Sequence, residues 1–201
     1  MKNSKHLFAI AAIIASVALI VYLMRQPATP ENTAEHEGHV HNDDEQHSHD
    51  VAQMESMKAE IVRLEKAIKE NPSDIESLLN LAHLYQDSGN LLKSIETYTK
   101  YLDQNSKNAD ARIDLGVSYY QMAYEDTLKQ KEYFETAIST MEEALKYSPK
   151  HVLGHFNLGI VNWQNGNSVK AAFWFNKCIA LDSTSSVAQK AKQILQQHLI
   201  N

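Results

Sequence analysis

Residues 75–106 read IESLLNLAHLYQDSGNLLKSIETYTKYLDQNS, and the same pattern returns twice further along the chain. The second copy begins at Ala109 with ADARIDLGVSYYQMA, and the third is VLGHFNLGIVNWQNGNSVKAAFWFNKCIALDS, residues 152–183. The first step between copies is 34 residues, and the second is 43 residues, which is the same period plus an insertion of nine. A period of this size indicates a structural unit repeated in tandem.

Each copy has the spacing of two amphipathic helices, with apolar residues at i, i+3, i+4 and i+7. Gly89 and Gly166 mark the turn between the paired helices, and the Asn after each can cap the second helix. Pro72 and Pro149 stand just before the next unit, where a helix has to stop. One position of every first helix holds a small residue that allows close helix contact: Ala82, Gly116 and Gly159.

This combination of period, small residues, aromatic positions and prolines resembles the tetratricopeptide repeat over residues 72–183. The chain departs from the family at the usual Trp, where it has Leu78, Arg112 and His155. The resemblance implies an all-α helical-repeat solenoid of about three repeats. Helical patterns at residues 51–70 and 187–199 would cap its two ends. The 3–4 apolar spacing of residues 51–70 also fits a coiled-coil seam, so dimerisation is the alternative to capping.

The resemblance also implies a binding groove formed by the first helices. Its lining is polar at the start of the stack and becomes apolar and aromatic towards the end, which suits an extended or helical apolar segment. Family chaperone clamps for a carboxylate place cations where this chain has apolar side chains, so such a clamp is not expected. The alternative is that the insertion or the C-terminal helix covers this surface and makes it core. The implied groove residues are Leu79, His83, Ile113, Val117, Tyr120, Leu153, Phe156, Ile160 and Trp163.

Residues 7–24, LFAIAAIIASVALIVYLM, contain no charged side chain. As a helix rising ~1.5 Å per residue they would span about 27 Å, close to the thickness of a bilayer core. The segment is longer than the apolar region of a cleaved signal peptide, and we interpret it as an uncleaved transmembrane anchor. Lys2 and Lys5 precede it and only Arg25 follows directly. The positive-inside rule then places residues 1–6 in the cytoplasm and the remaining chain on the periplasmic or extracytoplasmic side of the inner membrane.

Residues 25–50 form a predicted disordered linker ahead of a repeat domain at residues 51–201. The linker is acidic and has one large apolar residue, Val40, between Pro30 and Asp50, too few to bury a core. Its histidines could bind Zn, Cu or Ni, but the metal would have to order the segment, so we expect weak binding and interpret the linker first as a tether. The candidate ligands are His36, His39, His41, His47 and His49.

No catalytic or cofactor motif is found in the sequence. It has no phosphate loop, no nucleophile elbow, no H-E-x-x-H pair and no Cys pair. The single Cys178 cannot form an internal disulfide, and its place in a helical pattern predicts a buried, inert thiol. Beyond the linker the charge is nearly balanced, so no basic face for nucleic acid is expected. We interpret the chain as a non-enzyme without a cofactor.

The middle unit, residues 116–149, is long: GVSYYQMAYEDTLKQKEYFETAISTMEEALKYSP. Together with the N-terminal anchor and the small stack, it resembles the tetratricopeptide domains of cytochrome c maturation, which are partners of haem lyase. That resemblance implies that apocytochrome c or haem lyase components bind the groove outside the cytoplasm. Two alternatives stay open. One is a periplasmic metal-handling protein that acts through the His-rich linker, and the other is a general assembly factor for an envelope complex.

Overall fold

The computed structural model describes the backbone of residues 43–199 and the side chains of residues 52–199. All regular structure in this part of the chain is helical, and the predicted all-α stack of helix pairs is confirmed there. The helices are α1 (Asp43–Glu70), α2 (Ile75–Asp87), α3 (Leu91–Gln104), α4 (Ala109–Glu125), α5 (Gln130–Tyr147), α6 (Val152–Gln164), α7 (Ser168–Leu181) and α8 (Ser186–Ile194), followed by a π-helical turn (Leu195–Leu199).

Helices α2–α3, α4–α5 and α6–α7 form the three repeats that the sequence predicts. Gly89 and Gly166 turn the chain within the first and third repeats with φ of 75° and 78°, a left-handed conformation that favours glycine. Each pair closes over one large side chain from its second helix. These side chains are fully buried at one equivalent position: Tyr98, Met141 and Phe175.

Short polar side chains start the first helices of the first two repeats. The Asp74 carboxylate accepts the backbone N–H of Ser77 at 3.1 Å, and the Asn108 side chain accepts that of Ala111 at 3.0 Å. Such caps satisfy backbone donors that have no partner inside the helix. They fix where α2 and α4 begin, and therefore which of their side chains share a face.

The nine-residue insertion lengthens the second repeat. Helices α4 and α5 have 17 and 18 residues, whereas α2 and α3 have 13 and 14. The insertion therefore extends a helix pair and does not form a loop over the first helices. Leu128, in the turn between α4 and α5, is 97% exposed.

Helix α1 begins at Asp43, eight residues before the predicted boundary at residue 51. The last eight residues of the predicted linker, 43–50, therefore lie in the first part of this helix. The stretch 43–70 contains neither Gly nor Pro, and a nucleated helix gains a backbone hydrogen bond with each added residue. At its other end, Leu64 is 1% exposed and packs with Leu81 and Tyr85 of α2. Helix α1 thus packs as the second helix of a half-repeat.

The C-terminal cap begins close to the predicted position. Helix α8 places Ala188 and Ala191 in the core, and Leu195 of the π-helical turn is also buried. The predicted transmembrane segment, residues 7–24, lies outside the described residues. Between residues 43 and 199 no helix is both long and apolar enough to cross a bilayer.

Candidate functional site

We define the first-helix face as the predicted groove positions on α2, α4 and α6. Six of its nine side chains are partly buried and three are fully buried. The partly buried side chains, which keep some contact with solvent, are Leu79, His83, Val117, Leu153, Ile160 and Trp163. The buried ones are Ile113, Tyr120 and Phe156.

The three buried side chains fill junctions between helices. Phe156 is 2% exposed, and its ring centroid lies 5.6 Å from that of Phe175 on α7. Tyr120 packs on Phe134 with ring centroids 5.9 Å apart, and burial raises the pKa of its phenol far above the ordinary value. Ile113 lies against Gly154 of the next repeat, where an added Cβ would approach its Cδ1 to 2.6 Å. These three positions belong to the core.

Four apolar side chains, Leu79, Val117, Leu153 and Ile160, remain partly buried on three successive first helices. Leu79 packs against the core cluster of the first repeat, so one side of it is covered. An apolar side chain that is half covered by its own fold gains further burial when a partner binds. The four side chains therefore form the partly exposed apolar part of the first-helix face.

The C-terminal turn lies on the last predicted groove residue. The ring centroids of Trp163 and His198 are 5.1 Å apart, with planes inclined by 30°. The alternative that the C-terminal segment covers the groove thus applies at Trp163. The insertion, which was the other candidate cover, lengthens α4 and α5 as described above.

His83 contacts the neighbouring repeat. Its Nε2 lies 3.3 Å from Oδ2 of Asp114 on α4, and its ring meets the edge of Tyr98 at 5.6 Å. The next junction has a second pair, in which Nε2 of His151 lies 2.6 Å from Oδ1 of Asp110. Histidine–aspartate contacts therefore join both pairs of successive repeats.

His151 has a specific structural role at the start of α6. Its Nδ1 accepts the backbone N–H of Gly154 at 2.9 Å and so caps α6. A ring nitrogen that accepts a hydrogen bond carries no proton, so the proton of the neutral ring is on Nε2. Nε2 therefore donates a hydrogen bond to the Asp110 carboxylate. The signal in the sequence is positional, because His151 stands where Asp74 and Asn108 cap the earlier first helices.

A buried polar network joins the first two repeats. Gln86 donates from Nε2 to the Asp114 carbonyl at 3.0 Å and to Ser118 Oγ at 2.9 Å, and Tyr98 donates its hydroxyl to Gln86 Oε1 at 3.3 Å. The hydroxyls of Ser118 and Ser94 are 3.0 Å apart. Such a network stabilises one relative placement of two helices, because any shift leaves buried groups unpaired.

The first helices are acidic. They carry five acidic residues, and their single basic residue, Arg112, lies 3.2 Å from Glu143 on α5 and is only 13% exposed. Glu76 and Asp110 are exposed on this side of the stack. The combination of apolar side chains with exposed carboxylates favours a partner that is apolar and basic.

The predicted metal ligands are not tested by the structure. His36, His39 and His41 precede the described residues, and His47 and His49 lie in the first part of α1, where only the backbone is described. Among the described side chains no cluster of three or more His, Cys, Asp or Glu residues could hold a metal ion.

Sequence comparison finds two longer relatives. A TPR repeat-containing protein of Methanocaldococcus jannaschii is 25% identical over 116 residues, which are 58% of this chain and 19% of that protein. Superkiller protein 3 of Schizosaccharomyces pombe is 28% identical over 116 residues, which are 57% of this chain and 8% of that protein. The chain thus spans a small part of the relatives that it matches.

Structural comparison finds the same fold in bacterial proteins. A thermophilic TPR protein of Thermus thermophilus superposes with a TM-score of 0.60 at 22% identity, over 73% of this chain and 77% of that one. MamA, from residue 41 to its end, of Desulfovibrio magneticus RS-1 gives 0.58 at 18% identity, over 68% and 72% of the two chains. At these identities the likeness shows the fold alone.

Two family models described as tetratricopeptide repeat match this chain, at residues 64–96 and at residues 126–186. Their descriptions name the repeat and not the cytochrome c maturation branch that the sequence suggested. The first match begins at Leu64 in α1, in agreement with its packing as a half-repeat. The two matches lie at the beginning and the end of the run of three helix pairs, and there the chain is similar to the tetratricopeptide repeat.

Proposed function

We propose that this protein is a membrane-anchored tetratricopeptide scaffold whose first-helix face binds a polypeptide outside the cytoplasm. The observation that carries the proposal is the set of four partly buried apolar side chains, one or two on each of three successive first helices. Their alignment suits one continuous apolar segment that contacts all three repeats. The anchor and the side of the membrane rest on the sequence of residues 1–25.

The charge around this set defines the partner further. Glu76 and Asp110 are exposed on the first helices, and neither α2 nor α6 contains a Lys or Arg. A basic partner would be attracted to this side, whereas a free carboxylate would find no cation to hold it. We therefore propose a ligand with apolar residues at helical or extended spacing and several Lys or Arg residues. Its binding should weaken as salt is added.

The candidate ligand comes from the resemblance of the sequence to cytochrome c maturation proteins. We propose the C-terminal segment of an apocytochrome c, presented to haem lyase components at the membrane. This is the finer part of the proposal, and it stands apart from polypeptide binding itself.

The test uses a labelled peptide of that segment and the full-length protein in detergent, with affinity measured by fluorescence anisotropy. The variant is Val117→Thr with Ile160→Thr, which keeps the branching of both side chains and removes apolar surface. We expect affinity to fall about tenfold, because each change removes at least one buried methyl group and adds a polar group. The control is Val62→Thr with Val169→Thr, because these valines are 65% and 83% exposed away from the face.

The outcomes separate the two parts of the proposal. Equal affinity of the folded face variant and the control would exclude the first-helix face as the binding site. If the apocytochrome peptide does not bind but another basic, apolar peptide binds and loses affinity in the face variant, the scaffold stands and the apocytochrome assignment is wrong. Circular dichroism of both variants establishes that each is folded.

A further inference from the structure

The outer face of α7 carries an apolar and basic surface that the first-helix face does not use. Val169 is 83% exposed and Phe173 is 51% exposed. Val169, Phe173 and Lys177 follow one another at intervals of four residues, so they lie on one side of the helix. Lys170 is also exposed beside them. We call these four residues the α7 patch.

The Phe173 ring of the α7 patch lies close to Lys177 and to the neighbouring Trp174. The Phe173 ring centroid is 4.9 Å from that of Trp174, and Lys177 Nζ lies 5.6 Å from the Phe173 centroid. The half-exposed Phe173 side chain leaves apolar area in contact with water. Burial of this area against another apolar surface would be favourable. The lysine stems can cover apolar surface while their ammonium groups stay at a polar boundary.

Charge in this part of the chain differs from that of the other repeats. Helices α7 and α8 contain four lysines and no acidic residue, whereas the neighbouring α5 contains four glutamates and two lysines. Asp182, between α7 and α8, is occupied by hydrogen bonds from Thr184 and Ser185 to its Oδ1. The patch is therefore the edge of a locally cationic surface on an otherwise acidic chain.

We propose that the α7 patch docks on an anionic phospholipid surface. Exposed Phe and Val side chains flanked by lysines are the chemistry of an interfacial helix, in which apolar groups enter the headgroup region and cations meet anionic lipids. Residues 7–24 are predicted to anchor the same chain in a membrane, and this anchor would hold the α7 patch close to a lipid surface. An anchored domain samples the surface at a high effective concentration, so a small patch suffices.

The test uses the two tryptophans of the chain as reporters. Trp163→Phe leaves Trp174 beside the patch, and Trp174→Phe leaves Trp163 on the first-helix face. Each full-length protein is incorporated into phosphatidylcholine vesicles with and without phosphatidylglycerol, and with lipids brominated on their acyl chains, which quench nearby indoles. We expect quenching of Trp174 in the anionic vesicles and little in the neutral ones or at high salt.

The matched variants separate the patch from general charge. Lys170→Gln with Lys177→Gln should lower the affinity of the α7 patch for the anionic vesicle surface about fivefold for each lysine removed. Lys100→Gln with Lys131→Gln removes the same charge from exposed positions on α3 and α5, and it should leave quenching unchanged. Phe173→Ser should reduce quenching without changing its salt dependence.

Several results would overturn the proposal. One is the absence of Trp174 quenching in anionic vesicles. Another is an equal loss of quenching in the two double-lysine variants. A third is quenching of Trp163 in place of Trp174. Binding of polyglutamate by wild type and not by the α7 lysine variant, without quenching, would assign the patch to an acidic protein. Flotation on sucrose gradients tests the anchor separately, because an anchored chain floats with neutral vesicles whether or not the patch docks.

Discussion

At the residue scale, Gly159 and Gly116 hold the same position in two repeats but meet different neighbours. A Cβ on Gly159 would lie 2.5 Å from the Phe175 ring, and one on Gly116 would lie 2.6 Å from Cγ of Met141. A buried ring cannot yield, whereas a thioether chain can change rotamer. We expect Gly159→Ala to lower the free energy of unfolding by about 1–3 kcal/mol, and Gly116→Ala by clearly less. Urea denaturation followed by circular dichroism measures both, and equal losses would contradict this ranking.

Cys178 gives a second prediction at this scale. The thiol is buried, and burial, with a smaller contribution from the Asp182 carboxylate, raises its pKa to about 11 from an ordinary 9.0. Below pH ~9 the thiol is protonated in both the folded and the unfolded chain, so it adds no pH dependence. As pH rises from about 9 towards 11, the unfolded thiol ionises first and stability falls.

Chemical labelling checks the state of this thiol. We expect iodoacetamide to react slowly with Cys178 in the folded protein at pH 8 and rapidly in urea, because the thiolate is the nucleophile. In Cys178→Ala, the part of the alkaline loss of stability that comes from the thiol should disappear. Rapid labelling of the folded protein would show an open site, contrary to the interpretation of the sequence as a buried, inert thiol.

At the element scale, α6 depends on an unusual cap. His151 Nδ1 accepts the Gly154 N–H, as the side chains of Asp74 and Asn108 do for α2 and α4. We expect His151→Ala to lower the free energy of unfolding by about 1 kcal/mol and His151→Asn to retain most of it. Thermal and urea unfolding measure the difference. If Asn and Ala are equally destabilising, the contact with Asp110 and not the cap is the larger contribution.

Helix α1 has one buried and one exposed side along its described length. Leu64 is 1% exposed, whereas Val62 is 65% exposed. We expect Leu64→Ala to lower the free energy of unfolding by about 2–4 kcal/mol and Val62→Ala to change it by no more than about 0.5 kcal/mol. Urea denaturation measures both. This contrast tests capping by α1 against the packing of a second copy on its exposed side. A large cost at Val62, together with a sedimentation coefficient lower in the Val62 variant than in wild type, would indicate that a second copy packs on the helix.

At the scale of the whole molecule, periodicity predicts the fold because each repeat buries its core in the same way. Gly89, Gly166 and the prolines place the turns, since their backbone constraints are local. The start of α1 could not be predicted from composition. An acidic, apolar-poor stretch is typical of a linker, yet it continues as helix from a segment that Leu64 holds in place.

The site is less predictable than the fold. Family positions identify which side chains lie on the first helices, but a small rotation decides whether each faces solvent or a junction. Ile113 faces a junction because Gly154 leaves room for its side chain. Phe156 faces a junction because its ring packs on that of Phe175. Sequence reasoning missed the His151 cap because histidine is not among the residues favoured at that position. It missed the Gln86 network because the contacts of Gln86 with α4 join residues 28 and 32 positions apart in sequence.

The unequal lengths of the helix pairs have a consequence for how the chain assembles. Tandem repeats of similar sequence can dock out of order, and such misassembly is a characteristic trap of repeat proteins during folding. Here helices of 17 and 18 residues stand between pairs of 13 and 14. The first and third repeats have equal helix lengths, whereas each helix of the middle pair is longer by four residues, about one turn. The nine extra residues therefore distinguish the middle pair by length, so that it cannot take the place of either neighbour without leaving about one helical turn unmatched.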